Sequence, residues 1–144
     1  MVSNIFVHRR AVVGELVALM RLTLESRRLR LMAPHSRAVL KNEVHELILT
    51  DDQNAAPEKI VNRVSYVGFV EIKRGGVIVT GDKVFVEEKH LGELAGFDIT
   101  HMPNHMNIVV KSAKRDVHGL SLSDRVVVTQ TRRGFVFKKT RSNR

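Results

Sequence analysis

With 144 residues, 43% of them hydrophobic and 27% charged, the chain is sized for one folded domain, and neither wholesale disorder nor membrane embedding fits its composition. No cysteine is present, which excludes a disulfide framework, a thiolate metal site and a cysteine nucleophile, and suits a reducing interior. The net charge of +9 invites a nucleic-acid partner, yet residues 132–144 hold six Lys and Arg and no acid, so residues 1–131 carry only +3 of it.

The expected organisation is one domain over residues 1–131, followed by a last strand and basic tail over 132–144. The longest apolar stretch near the N-terminus, Leu16–Met20, falls far short of the ~20 residues a spanning helix needs and of a signal-peptide core. A cytoplasmic protein with no membrane association is expected.

In chain order, "RLTLESRRLRL" (21–31) alternates Leu22 and Leu24 before Glu25-Ser26-Arg27 and Leu29 and Leu31 after it, the pattern of a hairpin with Arg21, Arg28 and Arg30 on its other face. "MAPHSRAVLKNEVHELIL" (32–49) opens with a loop at Pro34-His35-Ser36. Leu40, Val44 and Leu47 then fall at helical spacing while "ELILT" reads as strand, so a short helix or turn running into a strand is predicted. "TDDQNAAPEK" (50–59) is a surface loop.

Beyond it, "VSYVGFVEI", "GGVIVTGDKVFVEEKHLGELAGF", "HMNIVVKS" and "DRVVVTQTRRGFVFKK" are β-branched and aromatic runs separated by Gly-rich turns. So many short strands in one small domain predict a mostly β fold, a small closed or partly open barrel with at most one or two short helices, because an open sheet would expose a pairing edge. "TGDKVFVEE" (80–88) and "LSDRVVVTQ" (122–130) share Asp, a basic residue and Val in register. The echo admits a pseudo-symmetric barrel or common hairpin language.

Polar chemistry concentrates in "THMPNHMN" (100–107). His101 and His105 stand at i and i+4, but Pro103 between them opposes the helix on which that spacing would bind zinc. In a loop the two imidazoles can still converge, with Asp98 and Asn107 as oxygen donors to a divalent metal. Asn104 and Asn107 have a plainer account as turn formers. Six polar side chains (Asp98, Thr100, His101, Asn104, His105 and Asn107) within ten residues exceed what a turn requires.

His35, Ser36 and Arg37 form a second polar cluster. There is no G-x-S-x-G elbow, P-loop or dinucleotide fingerprint, and Gly75-Gly76 reads as a hairpin turn. His45, between Glu43 and Glu46, reads as solvated or bonded to a carboxylate. "RRGFVFKK" (132–139) mixes bases with Phe135 and Phe137, a combination suited to single strands of nucleic acid or to closing a barrel end.

"AGFDITHMPNHMNIVV" followed by "LSLSDRVVV" (95–128) resembles the archaeal CTP-dependent riboflavin kinases, small cradle-loop barrels of RIFT type in which a Gly-Phe pair leads to Pro-Gly-Thr-Leu-Asn and later to a Leu-x-x-Gly-Asp hairpin. The resemblance implies that His105 and Asn107 occupy the places of a magnesium-binding Thr and Asn beside a nucleotide, with Pro103 matching the proline. An imidazole then replaces a hard oxygen, two extra residues precede the proline, and a Gly-rich nucleotide loop is missing. The chain also looks like a family of small bacterial proteins without assigned function.

The expected function is binding of a small polar or anionic ligand, phosphorylated or nucleotide-like, by Asp98, Thr100, Asn104 and Asn107 with His35, Ser36 and Arg37. A divalent metal on His105 and Asn107 would assist, and His101 or His105 would serve as general acid or base. The alternative is a non-catalytic nucleic-acid or protein-binding barrel that uses residues 132–144 and the Arg face. An oligomer is compatible with either.

Overall fold

The structure is a computed structural model and describes residues 8–130. Eleven strands form in chain order among these residues: β1 (Val12–Leu24), β2 (Leu29–Arg30), β3 (Ser36–Val39), β4 (Val44–Thr50), β5 (Ile60–Val61), β6 (Val64–Arg74), β7 (Gly76–Val79), β8 (Lys83–Val86), β9 (Lys89–Asp98), β10 (Asn107–Lys111) and β11 (Arg125–Thr129). Seven close into a barrel in the order β1-β11-β8-β9-β10-β4-β6, and β2-β5 and β3-β7 form two small accessory sheets. The predicted small barrel is thus a closed seven-stranded one, and the described residues contain no helix.

Alternation sorts the side chains into two cores. Leu16, Leu47, Leu49, Val70, Phe97, Ile108 and Val126 belong to the larger, interior cluster. Leu29, Leu31, Ile48, Val61, Val64, Tyr66 and Val109 form a second cluster on the other face of the wall, beneath the β2-β5 sheet. β1 reaches both neighbours by bending. Its pairing with β6 shifts register three times, as a bulged strand in a tightly curved barrel does. Gly68 sits opposite Leu19 with φ +149°, and any Cβ there would strike the Ala18 carbonyl.

The predicted hairpin over 21–31 does not form. Leu22–Leu24 of β1 pair with Val64–Tyr66 of β6. The chain instead turns at Arg28 (φ 55°), Arg27 N and Arg28 N donate to the main-chain and side-chain oxygens of Asn62, and β2 pairs with β5. Leu29 and Leu31 gain their burial in the second cluster. At residues 40–50 a turn, with Asn42 at φ 79°, leads straight into β4, and the helical spacing of Leu40, Val44 and Leu47 is incidental.

The internal echo corresponds to a real two-fold likeness. β8 and β11 are antiparallel neighbours, with Val127 opposite Phe85. Asp82 Oδ2 accepts from Val79 N at 2.9 Å, and Asp124 Oδ2 accepts from Ser121 N at 2.9 Å. Gly81 N donates to Leu94 O and Leu94 N to Asp82 O; correspondingly Ser123 N donates to Leu16 O and Leu16 N to Asp124 O. Gly81 and Ser123 even share a left-handed backbone, φ 94° and 73°.

Among the described residues the interior is closely packed. A residual void of about 20 Å³ remains, lined by Val12, Leu47, Val70, Val84, Ile108 and Val126 among others. A wholly apolar space of that size stays dry and takes no ligand.

Candidate functional site

β4 and β10 lie side by side in parallel, with Asn107 opposite Glu46 and Val109 opposite Ile48. On β10's other side Asn107 faces Asp98 of β9, and on β4's other side Glu46 faces Phe69 of β6. Asp98, Asn107, Glu46 and Phe69 therefore form one row across four strands. Glu46 shares its face with Ile48, so the row continues the second, outer cluster. Loop 99–106 covers it.

Two anchors hold that loop. At its start, the buried Asp98 carboxylate accepts Thr100 Oγ1 at 2.7 Å, Thr100 N at 3.2 Å and Asn107 Nδ2 at 2.9 Å. At its end Met106 is fully buried, Met106 N donates to His45 Nδ1 at 3.0 Å and Glu46 N donates to Met106 O at 3.0 Å. Because His45 Nδ1 accepts, its Nε2 carries the proton and donates to Glu43 Oε1 at 3.1 Å. His45 is the carboxylate-bonded histidine that its neighbours suggested. The Glu43 carboxyl lies below its usual range, chiefly through the Leu40 N–H, with His45 and Arg37 adding attraction and burial opposing.

Between the anchors, His105 is gripped on every side. Its Nδ1–H donates to Asn104 Oδ1 at 2.6 Å, its ring meets the edge of Phe69 at 5.0 Å, and His101 stacks on it at 5.1 Å with 29° between planes. Its Nε2 approaches Glu46 Oε1 at 3.3 Å without hydrogen-bond geometry. Glu46 is 4% exposed, and burial raises its carboxyl above the ordinary value, opposed first by the charge and hydrogen bonding of His105 and then by attraction to His101 and Arg27. Arg27, held by Nε donation to the Tyr66 hydroxyl at 2.6 Å, brings a guanidinium to the same face.

The expected site residues divide accordingly. Asp98, Thr100, His101, Asn104, His105 and Asn107 are together, the first two and Asn107 as the frame and the histidines with Asn104 outermost. His35 lies apart, its Nδ1 within 2.9 Å of Thr80 Oγ1, and Ser36 pairs with Val79 in the β3-β7 sheet. Arg37 reaches the region only through Glu43. Glu46, Arg27 and Phe69 escaped sequence reasoning. The alternation that puts Glu46 on the face of Ile48 was readable; that this face is buried at both residues was not.

A magnesium pair at His105 and Asn107 does not fit the donors. Asn107 Oδ1 is buried and unpartnered, as a ligand atom would be, but His105 offers an imidazole where magnesium demands hard oxygen. Among the described residues no group of three His, Asp or Glu stands ready to hold a metal. Two surface hollows, of about 470 Å³ at Asp51, Asp52 and Arg63 and about 310 Å³ at His90, Glu93 and Lys111, have charged groups already engaged: Asp51 with Arg63, Glu93 with Lys83, Lys111 with main-chain carbonyls. The basic stretch 132–144 lies outside the described residues, and among those described no helix is long and apolar enough to cross a membrane.

Fold and site together define a small closed β-barrel with an apolar core and a histidine-bearing loop clamped over a buried carboxyl. The chain belongs to a family of unknown function, DUF6917, which matches residues 6–131. No curated protein and no solved structure matches the chain.

Proposed function

We propose that the protein binds a small anionic ligand, phosphorylated or nucleotide-like in class, on the face formed by His101, His105 and Arg27. The observation that supports this reading best is the fixing of His105 by Asn104, Glu46, Phe69 and His101 at the outer wall of the barrel. A turn has no need of an aromatic edge, a stacked imidazole and a buried acid around one ring. Imidazole and guanidinium are donors suited to phosphate or carboxylate oxygens. Ile99 and Met102, 47% and 41% exposed on the same loop, supply apolar contact for the body of a larger ligand such as a nucleotide. If the bound ligand reacts, His105 is the group placed to give or take its proton.

The test is a thermal-shift panel of inorganic phosphate, nucleoside monophosphates and divalent cations on the wild type and on His101→Ala, His105→Ala and Arg27→Ala. A ligand that binds the native state raises the melting temperature by mass action. The reading requires a phosphate or nucleotide shift that the three variants lose.

A further inference from the structure

Ion pairing is uneven across the described chain. Arg63 and Arg115 are paired by Glu25 and Asp51, and Arg9 by Asp82. The β2-β5 sheet is the opposite case. Residues 27–30 and 58–62 set Arg27, Arg28, Arg30 and Lys59 against one acid, Glu58. Arg28, Arg30 and Lys59 are exposed, and no hydrogen bond or ion pair engages their side chains among the described residues. Arg30 stands opposite Ile60 in register, and because Leu29 and Val61 turn into the second cluster, this pair faces outward.

The sheet adjoins the histidine loop. Arg27 N donates to Asn62 O at 3.0 Å and Arg27 Nε to the Tyr66 hydroxyl at 2.6 Å, which leaves both terminal nitrogens of the guanidinium for an oxyanion. Tyr66 lies opposite Ile48, two residues along β4 from Glu46. From β2 the chain continues to Met32, whose N donates to Phe97 O at 2.8 Å, two residues before Ile99 opens the loop. Arg30 is two residues, about 7 Å of extended chain, from Met32. Leu31 N donates to Lys59 O at 3.0 Å. The cationic surface therefore continues from the loop and Arg27 to Arg30 and Lys59.

We infer that the anion face is one end of a track for single-stranded nucleic acid, with one phosphate at Arg27 and His105 and the following ones on Arg30 and Lys59. This rests on the anion-binding reading above and extends it. A lone phosphate needs only the loop and Arg27, whereas unpaired cations leading away from them match the successive phosphates of a strand. His101 selects a single strand over a duplex. It is the exposed, outermost ring of the stack on His105, and only an unpaired base can lie on such a ring. A lipid surface would call for several bulky apolar side chains between the cations, and among residues 27–31 and 58–62 Ile60 is the one exposed large apolar group.

The test reads fluorescence anisotropy of labelled single strands of RNA and DNA, about ten nucleotides long. Calorimetry with adenosine monophosphate accompanies it. Both are run on wild type, His105→Ala and the double variant Arg30→Gln/Lys59→Gln. The two side chains of the double variant are exposed and have no partner to lose, so it should melt with wild type. Wild type should bind a strand about tenfold or more tighter than the mononucleotide at low salt. The double variant should lose most of that margin and about 1.4 of the slope of log affinity against log salt, about 0.7 per phosphate contact. It should bind the mononucleotide as wild type does. His105→Ala should weaken both ligands, and a duplex of the same sequence should bind more weakly than the strand.

A strand held no tighter than the mononucleotide, or held equally by the double variant, would overturn the track and leave the anion-binding reading standing. Strand binding that is indifferent to His105→Ala, or that is lost only on removal of residues 138–144, would overturn it as well. A duplex bound as tightly as the strand would overturn the single-strand assignment. Absence of binding of both mononucleotide and strand would overturn the track together with the anion-binding reading.

Discussion

Asn107 and Glu46 stand directly opposite one another where β10 runs parallel to β4, and every other barrel pairing among the described strands is antiparallel. The parallel pair brings the end of the histidine loop onto a carboxyl 61 residues earlier in the chain. Asn107 is the pivot: it hands one side of its amide to Asp98 and leaves the other beside Glu46.

Replacing Asn107 with Ala should therefore destabilise the fold markedly. The Asp98 carboxylate would stay buried and lose its Asn107 donor, a loss of ~1–3 kcal/mol. Asn104→Ala, at an exposed position, should fall within about 0.5 kcal/mol of wild type. Urea unfolding of both variants checks the contrast; equal costs would mean that Asn107 is not the pivot.

The pH dependence of stability should carry two opposite signs. Burial raises Glu46 above its ordinary 4.5, so the folded chain keeps a proton that the unfolded chain has released between 4.5 and the raised value. Stability from this group is full below 4.5 and is lost as pH rises through that raised value. Glu43 is lowered, first by the Leu40 N–H, and Asp51 is lowered, first by the Arg63 hydrogen bond. Their contribution is full above the ordinary 4.5 and 3.8 and is lost as pH falls through the lowered values. Melting curves across pH should show Glu46→Gln abolishing the alkaline-going loss while keeping the acid-going one.

The two copies of the Asp turn offer a matched pair. Asp82 is buried and its carboxylate receives both terminal nitrogens of Arg9, at 2.6 and 2.8 Å. Asp82→Ala strands a cation whose side chain is only 7% exposed, at a cost of ~3–5 kcal/mol. Asp124→Ala removes the same turn bond without a buried partner and should cost about 1 kcal/mol. Denaturation midpoints of the two single variants give the comparison, and equal losses would show that the turn, not the ion pair, matters.

How far the sequence discloses this molecule depends on the distance over which the deciding contacts act. Barrel class was legible because alternation and Gly-rich turns are local, and the echo at residues 80–88 and 122–130 marked two alike turns without disclosing that their strands are neighbours. Pairing was not: Leu22, Leu24, Leu29 and Leu31 alternate as a hairpin would, yet alternation states which residues share a face and never which strand lies alongside. The same limit hid half the site. Density of polar residues pointed to loop 98–107, but Glu46 looks like an ordinary surface acid until β10 is laid beside β4, and Arg27 like a turn residue until Tyr66 holds it.

Removal of residues 138–144 separates the anion-binding reading from a partner-binding one that uses the basic tail. Phosphate-induced stabilisation should survive the truncation, because the groups assigned to it lie between residues 27 and 107. A nucleic-acid interaction through the tail would weaken with truncation and with salt, since phosphate contacts release counterions.

The most direct test of the central claim is a titration of the ¹⁵N-labelled protein with inorganic phosphate, followed by amide chemical shifts. The account predicts saturable shifts confined to residues 99–106 and their neighbours at Arg27 and Glu46, abolished in His105→Ala. Shifts that leave loop 99–106 untouched, or that persist undiminished in His105→Ala, would contradict it.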